Sequence, residues 1–126
     1  MDLFTSNKPI LLDFDAFSEL TSKRNKCYVI LFYYDDTQSE FICKKYNECS
    51  NYTSPNVLYT CDCSKEQRVY KFLQDNKNLY PFDGFPFLCF YSDGTPHKIY
   101  SGITSTTEIC NFILHQSCVT IKTKKD

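Results

Sequence analysis

Tyr28-Val29-Ile30-Leu31-Phe32-Tyr33-Tyr34, followed at once by Asp35-Asp36-Thr37-Gln38, is the stretch on which the architecture turns. The run is unbroken, leaves no polar face, and is rich in aromatic and β-branched residues. That pattern suits a central strand covered on both faces by helices. Beyond the acidic break, Ile42, Tyr46 and Cys49 recur at helical spacing with Lys44, Lys45 and Glu48 between them, which predicts a helix with one buried face.

Upstream, Ile10 to Leu12 reads as a short strand, with Asp13 as a helix cap and Phe14, Phe17 and Leu20 on one face of a helix ending near Lys23. Downstream, residues 51–56 contain Ser54-Pro55 and read as a loop, and Val57 to Cys63 as a second buried strand. Ser64 with Gln67 makes a capping box ahead of Val69, Phe72 and Leu73. Leu79 to Pro86 is a loop, Phe87 to Tyr91 a strand, and Asp93-Gly94 a hairpin turn into a short strand at Lys98 to Tyr100. Ser105 and Glu108 form a second capping box before Ile109, Phe112 and Ile113. The order is βαβαβαββα: an α/β domain with a mixed five-stranded sheet and helices on both faces.

A chain of 126 residues is enough for one domain with one core. That single domain spans residues 1–126, with its core at about 10–114 and a C-terminal tail at 115–126. Fourteen basic side chains face fifteen acidic ones, so no overall field gathers nucleic acid or an anionic membrane. Lys122, Lys124, Lys125 and Asp126 read as a solvated terminus. No apolar run approaches the roughly 20 residues that cross a bilayer, and the start lacks the features of a secretory signal. An intracellular setting is therefore expected, and the glycosylation triplet Asn51-Tyr52-Thr53 reads as accidental. Abundant Asn, Lys, Ile, Tyr and Phe hint at an AT-rich genome of the kind some large DNA viruses or protists carry, which would extend the setting from cytoplasm to a viral particle.

Three features together resemble the thioredoxin family: Ile30-Leu31-Phe32-Tyr33-Tyr34 ahead of the second helix, Gly84-Phe85-Pro86-Phe87 entering a strand, and Ser92-Asp93-Gly94 before the last hairpin strand. The resemblance implies a thioredoxin fold from about Ile10 to Leu114. It also implies that Pro86 is a cis-proline beside the start of the second helix, a bond that costs little only at X-Pro. The family's C-x-x-C pair would fall on Thr37-Gln38-Ser39-Glu40, and no cysteine lies anywhere between Cys27 and Cys43. Dithiol chemistry needs a thiolate at a helix N-terminus and a resolving thiol three residues on. The buried acid of redox-active relatives corresponds here to Leu31.

Cysteines stand at 27, 43, 49, 61, 63, 89, 110 and 118. Cys43 and Cys49 would be separated by about 9 Å along one helix, beyond disulfide reach. Cys61 and Cys63 would share one side of a strand at about 6.5–7 Å, at or past the limit. Cys110 and Cys118 pair only if their helix stops first, being about 12 Å apart otherwise. The spacings do not suit zinc. Most of the thiols are thus expected as small hydrophobes in a reduced core, and neither metal nor cofactor is expected.

By the resemblance, Thr37, Phe85, Pro86, Gly102 and Ile103 would form an apolar shelf for an extended peptide, with Phe82 and Tyr80 extending it as aromatic anchors. The plainer reading is that Phe82 and Phe85 cap the end of the sheet. The expected function is a redox-inactive module that docks on another protein, as part of a larger assembly. The alternative is an atypical thiol-disulfide oxidoreductase using Cys43 or the Cys61/Cys63 pair. A third idea is a scaffold that cross-links through its thiols on oxidation.

Overall fold

The computed structural model describes residues 9–49, 57–102 and 105–115. The expected loop at 51–56, Ile103, Cys118 and the tail beyond 115 lie outside the described residues. Nine elements follow in the expected order: β1 (Ile10–Leu11), α1 (Phe14–Ser22), β2 (Cys27–Tyr33), α2 (Thr37–Cys49), β3 (Val57–Asp62), α3 (Gln67–Asp75), β4 (Phe87–Ser92), β5 (Thr95–Tyr100) and α4 (Thr106–His115).

The sheet runs β1-β3-β2-β4-β5. β3 pairs in parallel with β1 and β2, while β4 pairs antiparallel with β2 and β5. β2 lies at the centre, with Ile30 beside Tyr59 on one flank and Cys89 on the other. Successive side chains of a strand alternate faces, so the continuous apolar run feeds two cores. Tyr28, Ile30 and Phe32 join Phe17, Leu20, Val69 and Leu73 from α1 and α3. Val29 and Leu31 join Ile42, Tyr46, Ile109 and Ile113 from α2 and α4. The buried Tyr46 hydroxyl bonds the carbonyls of Val29 (3.2 Å) and Tyr59 (2.9 Å), fixing α2 across β2 and β3.

Local signals account for most boundaries. Asp13 caps α1 through its carboxylate, which accepts from Ala16 N at 2.8 Å. The Ser105 hydroxyl accepts from Glu108 N at 3.2 Å ahead of α4. Asp93 and Gly94 take φ of 61° and 79°, and join β4 to β5.

Two expectations are corrected. Ser64 does not cap α3, which begins at Gln67. The Asp62 carboxylate instead accepts from both the Ser64 N–H and hydroxyl, while Gln67 donates back to the carbonyls of Cys63 and Ser64. An acid two residues upstream captures the serine before the helix can use it. The reduced core is corrected in part, for three of the described cysteines. Cys49, the last residue of α2, forms a disulfide with Cys110 of α4 (Cα–Cα 5.8 Å), and Cys27 is also disulfide-bonded. Cys43, Cys61, Cys63 and Cys89 are free.

Candidate functional site

The C-terminal ends of β1, β3 and β2 meet the start of α2 and the loop before β4, the edge at which open α/β sheets characteristically bind ligands. α2 begins at Thr37, which is exposed. Its entry is held from both sides. Asp36 Oδ1 accepts from Ser39 N (2.8 Å), and the buried Ser39 hydroxyl accepts from Tyr34 N (3.3 Å), tying the helix to the end of β2. Thr37-Gln38-Ser39-Glu40 thus occupy the first turn.

The Phe85–Pro86 peptide is cis. Pro86 is buried and Phe85 half-buried, with its ring at 5.3 Å from Tyr34, 5.7 Å from Tyr70 and 5.4 Å from Phe82. Tyr34 and Tyr70 are themselves half-buried and 5.7 Å apart. Sequence reasoning missed both. Tyr34 passed as the end of the central strand, and Tyr70 lies off the Val69-Leu73 stripe.

Phe82 and Tyr80 are corrected as anchors. Phe82 is 5% exposed, stacks on Phe87 at 4.5 Å, and is covered by the Lys77 ammonium 4.4 Å from its ring. Tyr80 is buried with its hydroxyl bonded to that of Tyr91. Both belong to the core under the sheet end. Gly102 is exposed with φ of 71°, and Ile103 lies outside the described residues.

Beside Tyr34 the surface falls into a pocket of about 360 Å³ lined by Tyr33, Tyr34, Asp35, Asp36, Glu40, Cys43, Asp62 and Lys65. A second pocket, of about 230 Å³, shares Tyr33, Asp62 and Lys65 and runs on to Leu11, Asp13 and Glu66. Each parallel strand brings an acid to this edge: Asp13 after β1, Asp35 and Asp36 after β2, and Asp62 ending β3. Among the described residues, no three His, Cys, Asp or Glu side chains converge closely enough to hold a metal ion.

The free thiols are poorly placed for nucleophilic work. Burial, with Asp62, Asp36 and Glu40 nearby, pushes Cys43 up to about 11. Cys61 and Cys63 are fully buried on one side of the sheet, and the Cys63 thiol is pushed up by its hydrogen bond with Cys61 and by burial. Burial raises Cys89 as well. None of these shifts favours a thiolate near neutral pH. No described helix is long and apolar enough to cross a membrane.

No protein-family model matches the chain, and no curated protein matches it by sequence. Its structure is similar to those of thioredoxins. A mutant thioredoxin from Halobacterium salinarum matches with a TM-score of 0.64 at 16% identity, over 85% of this chain and 88% of that one. Malassezia sympodialis thioredoxin matches with a TM-score of 0.65 at 15% identity, over 83% and 87%. The zinc-bound form of human ERp44 matches with a TM-score of 0.63 at 17% identity over 84% of this chain, which spans only 29% of that protein. The fold is therefore the thioredoxin fold.

Proposed function

We propose that this thioredoxin-fold chain is a protein-binding module without dithiol chemistry, which holds an extended segment of a partner in a larger assembly. The observation that carries the reading is a pairing at one site. The first turn of α2, where the family's chemistry requires thiols, holds Thr37-Gln38-Ser39-Glu40, while the neighbouring Phe85–Pro86 bond keeps its cis geometry and a half-buried aromatic face. Thr37, Phe85, Pro86 and Gly102 form the shelf, and Tyr34 and Tyr70 widen it. Aromatic surface of this kind anchors protein contacts at low entropic cost.

The oxidoreductase alternative finds less support, because Cys43 is raised to about 11 and Cys61, Cys63 and Cys89 are buried. The Cys49–Cys110 bond bears on the setting. Disulfides are rare in the cytosol and persist where thiols are oxidised, virion surfaces included. The reading favours an assembled particle or another oxidising location over bulk cytoplasm.

The test is dithiothreitol-driven reduction of insulin, run beside an authentic thioredoxin. The expected result is no turnover above background by folded protein. Turnover would overturn the reading and direct substitution to Cys43 and the Cys61/Cys63 pair.

A further inference from the structure

The shelf and the acidic pocket are one continuous surface. Tyr34 lines the pocket on one side and meets the Phe85 ring on the other. Around the pocket stand Asp35, Asp36, Glu40 and Asp62 against a single cation, Lys65, in a chain whose net charge is only −1.

Part of this charge has local duties. Asp36 caps α2, and an acid in the first turn such as Glu40 suits the helix dipole. Those duties do not account for Asp35 or Asp62. Asp35 is exposed and, like the Glu40 carboxylate, makes no hydrogen bond or ion pair among the described residues. Asp62 is only 8% exposed. Its Oδ1 is engaged by Ser64, but no donor among the described residues reaches Oδ2, and the residue lines both pockets. No buried side-chain oxygen among the described residues lacks a partner, so Oδ2 keeps a path to water through the pocket and is open to a donor that enters there. Lys65 lines the pockets yet forms no ion pair among the described residues. The acids surround the pocket without converging as metal ligands do. A long cationic side chain, able to lay its stem along Tyr33 and Tyr34 and present several donors at its tip, matches what the pocket lacks.

We infer that the pocket formed by Asp35, Asp36, Glu40 and Asp62 receives a lysine or arginine side chain of the extended partner segment whose neighbouring apolar residues lie across Tyr34, Phe85 and Pro86. This inference rests on the peptide-binding reading of the shelf and adds the partner's chemistry to it.

The test begins with selection from a random linear dodecapeptide phage library on the full chain, followed by fluorescence anisotropy with the enriched peptides. The expected peptides carry Lys or Arg at a fixed spacing from an apolar or aromatic residue. Replacing that cation by Gln should weaken binding about tenfold. On a D35N/E40Q variant, whose substituted side chains are exposed and unbonded, the same replacement should change little, while Phe85→Ala should weaken both peptides alike. Enriched peptides with an apolar preference but no cationic position, or an undiminished cation effect on D35N/E40Q, would overturn the inference and leave the groove reading in place. Binding only with added calcium would make the occupant a metal ion and overturn it too. No enrichment, or binding indifferent to Phe85→Ala, would remove the groove reading and this inference with it.

Discussion

Cys49 and Cys110 are joined across the helix layer, tying the last residue of α2 to the middle of α4 over a sequence separation of 61 residues. The bond lies on the face of the sheet opposite α1 and α3, so it staples the layer that carries the start of α2. Closing a loop of that length restricts the unfolded chain by about 4 kcal/mol on the chain-entropy account. A C49A/C110A variant should therefore melt well below the oxidised protein. The gap should close when both are melted in dithiothreitol. Equal melting temperatures under oxidising conditions would mean that the packing of α2 on α4 suffices without the bond.

Tyr91 donates its hydroxyl to that of Tyr80 at 2.9 Å, with both side chains buried. Removing either hydroxyl leaves the other without its partner, at a cost of about 1–3 kcal/mol. Y80F and Y91F should each destabilise, and Y80F/Y91F should cost less than their sum, since the double change strands neither hydroxyl. Urea denaturation of the four proteins measures the coupling. Strict additivity would show that the hydroxyls do not act as a pair.

Much of this was legible in the chain and the rest was hidden for identifiable reasons. The β2 run, the Asp13 cap and the Asp93-Gly94 turn are local signals, and each element they predict is present. The Cys49–Cys110 bond was not legible, because distances along one helix say nothing about two helices brought side by side. Phe82 and Tyr80 look like surface aromatics from their place in a proline-containing loop, but the loop folds beneath the sheet end and buries them. The acidic pocket was invisible for a similar reason. Asp13, Asp35, Asp36, Glu40, Asp62 and Glu66 are scattered in sequence, and only the parallel pairing of β1, β3 and β2 collects them at one edge.

The hairpin glycine is held by more than its turn. A Cβ on Gly94 would collide with the carbonyl oxygen of Thr21 and sit 2.8 Å from the Arg24 guanidinium, on a backbone at φ of 79°. Gly102 shares the positive φ, yet a Cβ there meets nothing within 4 Å among the described residues. The left-handed backbone alone costs an alanine about 1–2 kcal/mol. G102A should lose about that much and G94A distinctly more, because α1 must shift as well. Thermal melts of the two variants decide it, and equal losses would contradict the close approach of the turn to α1.

High pH should unfold the protein through groups that burial keeps protonated. Cys43 is raised to about 11 and Tyr33 to about 12, and burial also raises Tyr28, Tyr46, Tyr80 and Tyr91. In the unfolded chain a thiol ionises near about 8.5 and a phenol near about 10. Between the unfolded and folded values, the unfolded chain has given up a proton that the folded chain keeps. Stability is thus full below about 8.5 and falls as pH rises through the raised values. Denaturation midpoints from pH 7 to 11 should decline, with C43S flattening the early part of the fall. A midpoint that rises with pH would reverse the sign.

Thiol labelling separates the binding reading from the oxidoreductase one directly. Cys43 is half-buried while Cys61, Cys63 and Cys89 are fully buried, so Cys43 should be the first of the described free thiols to react with iodoacetamide. Its reaction at pH 7 should nevertheless be slow, because a thiol raised to about 11 is almost wholly protonated there. The rate should climb about tenfold per pH unit toward that value, as expected when only the thiolate attacks. D36N and E40Q should each quicken the reaction at a fixed pH by removing a negative neighbour. Cys61, Cys63 and Cys89 should label only once the chain unfolds. Rapid modification of one thiol in folded protein at neutral pH, mapped by mass spectrometry to any of these four, would instead identify a nucleophile that the binding reading has no place for.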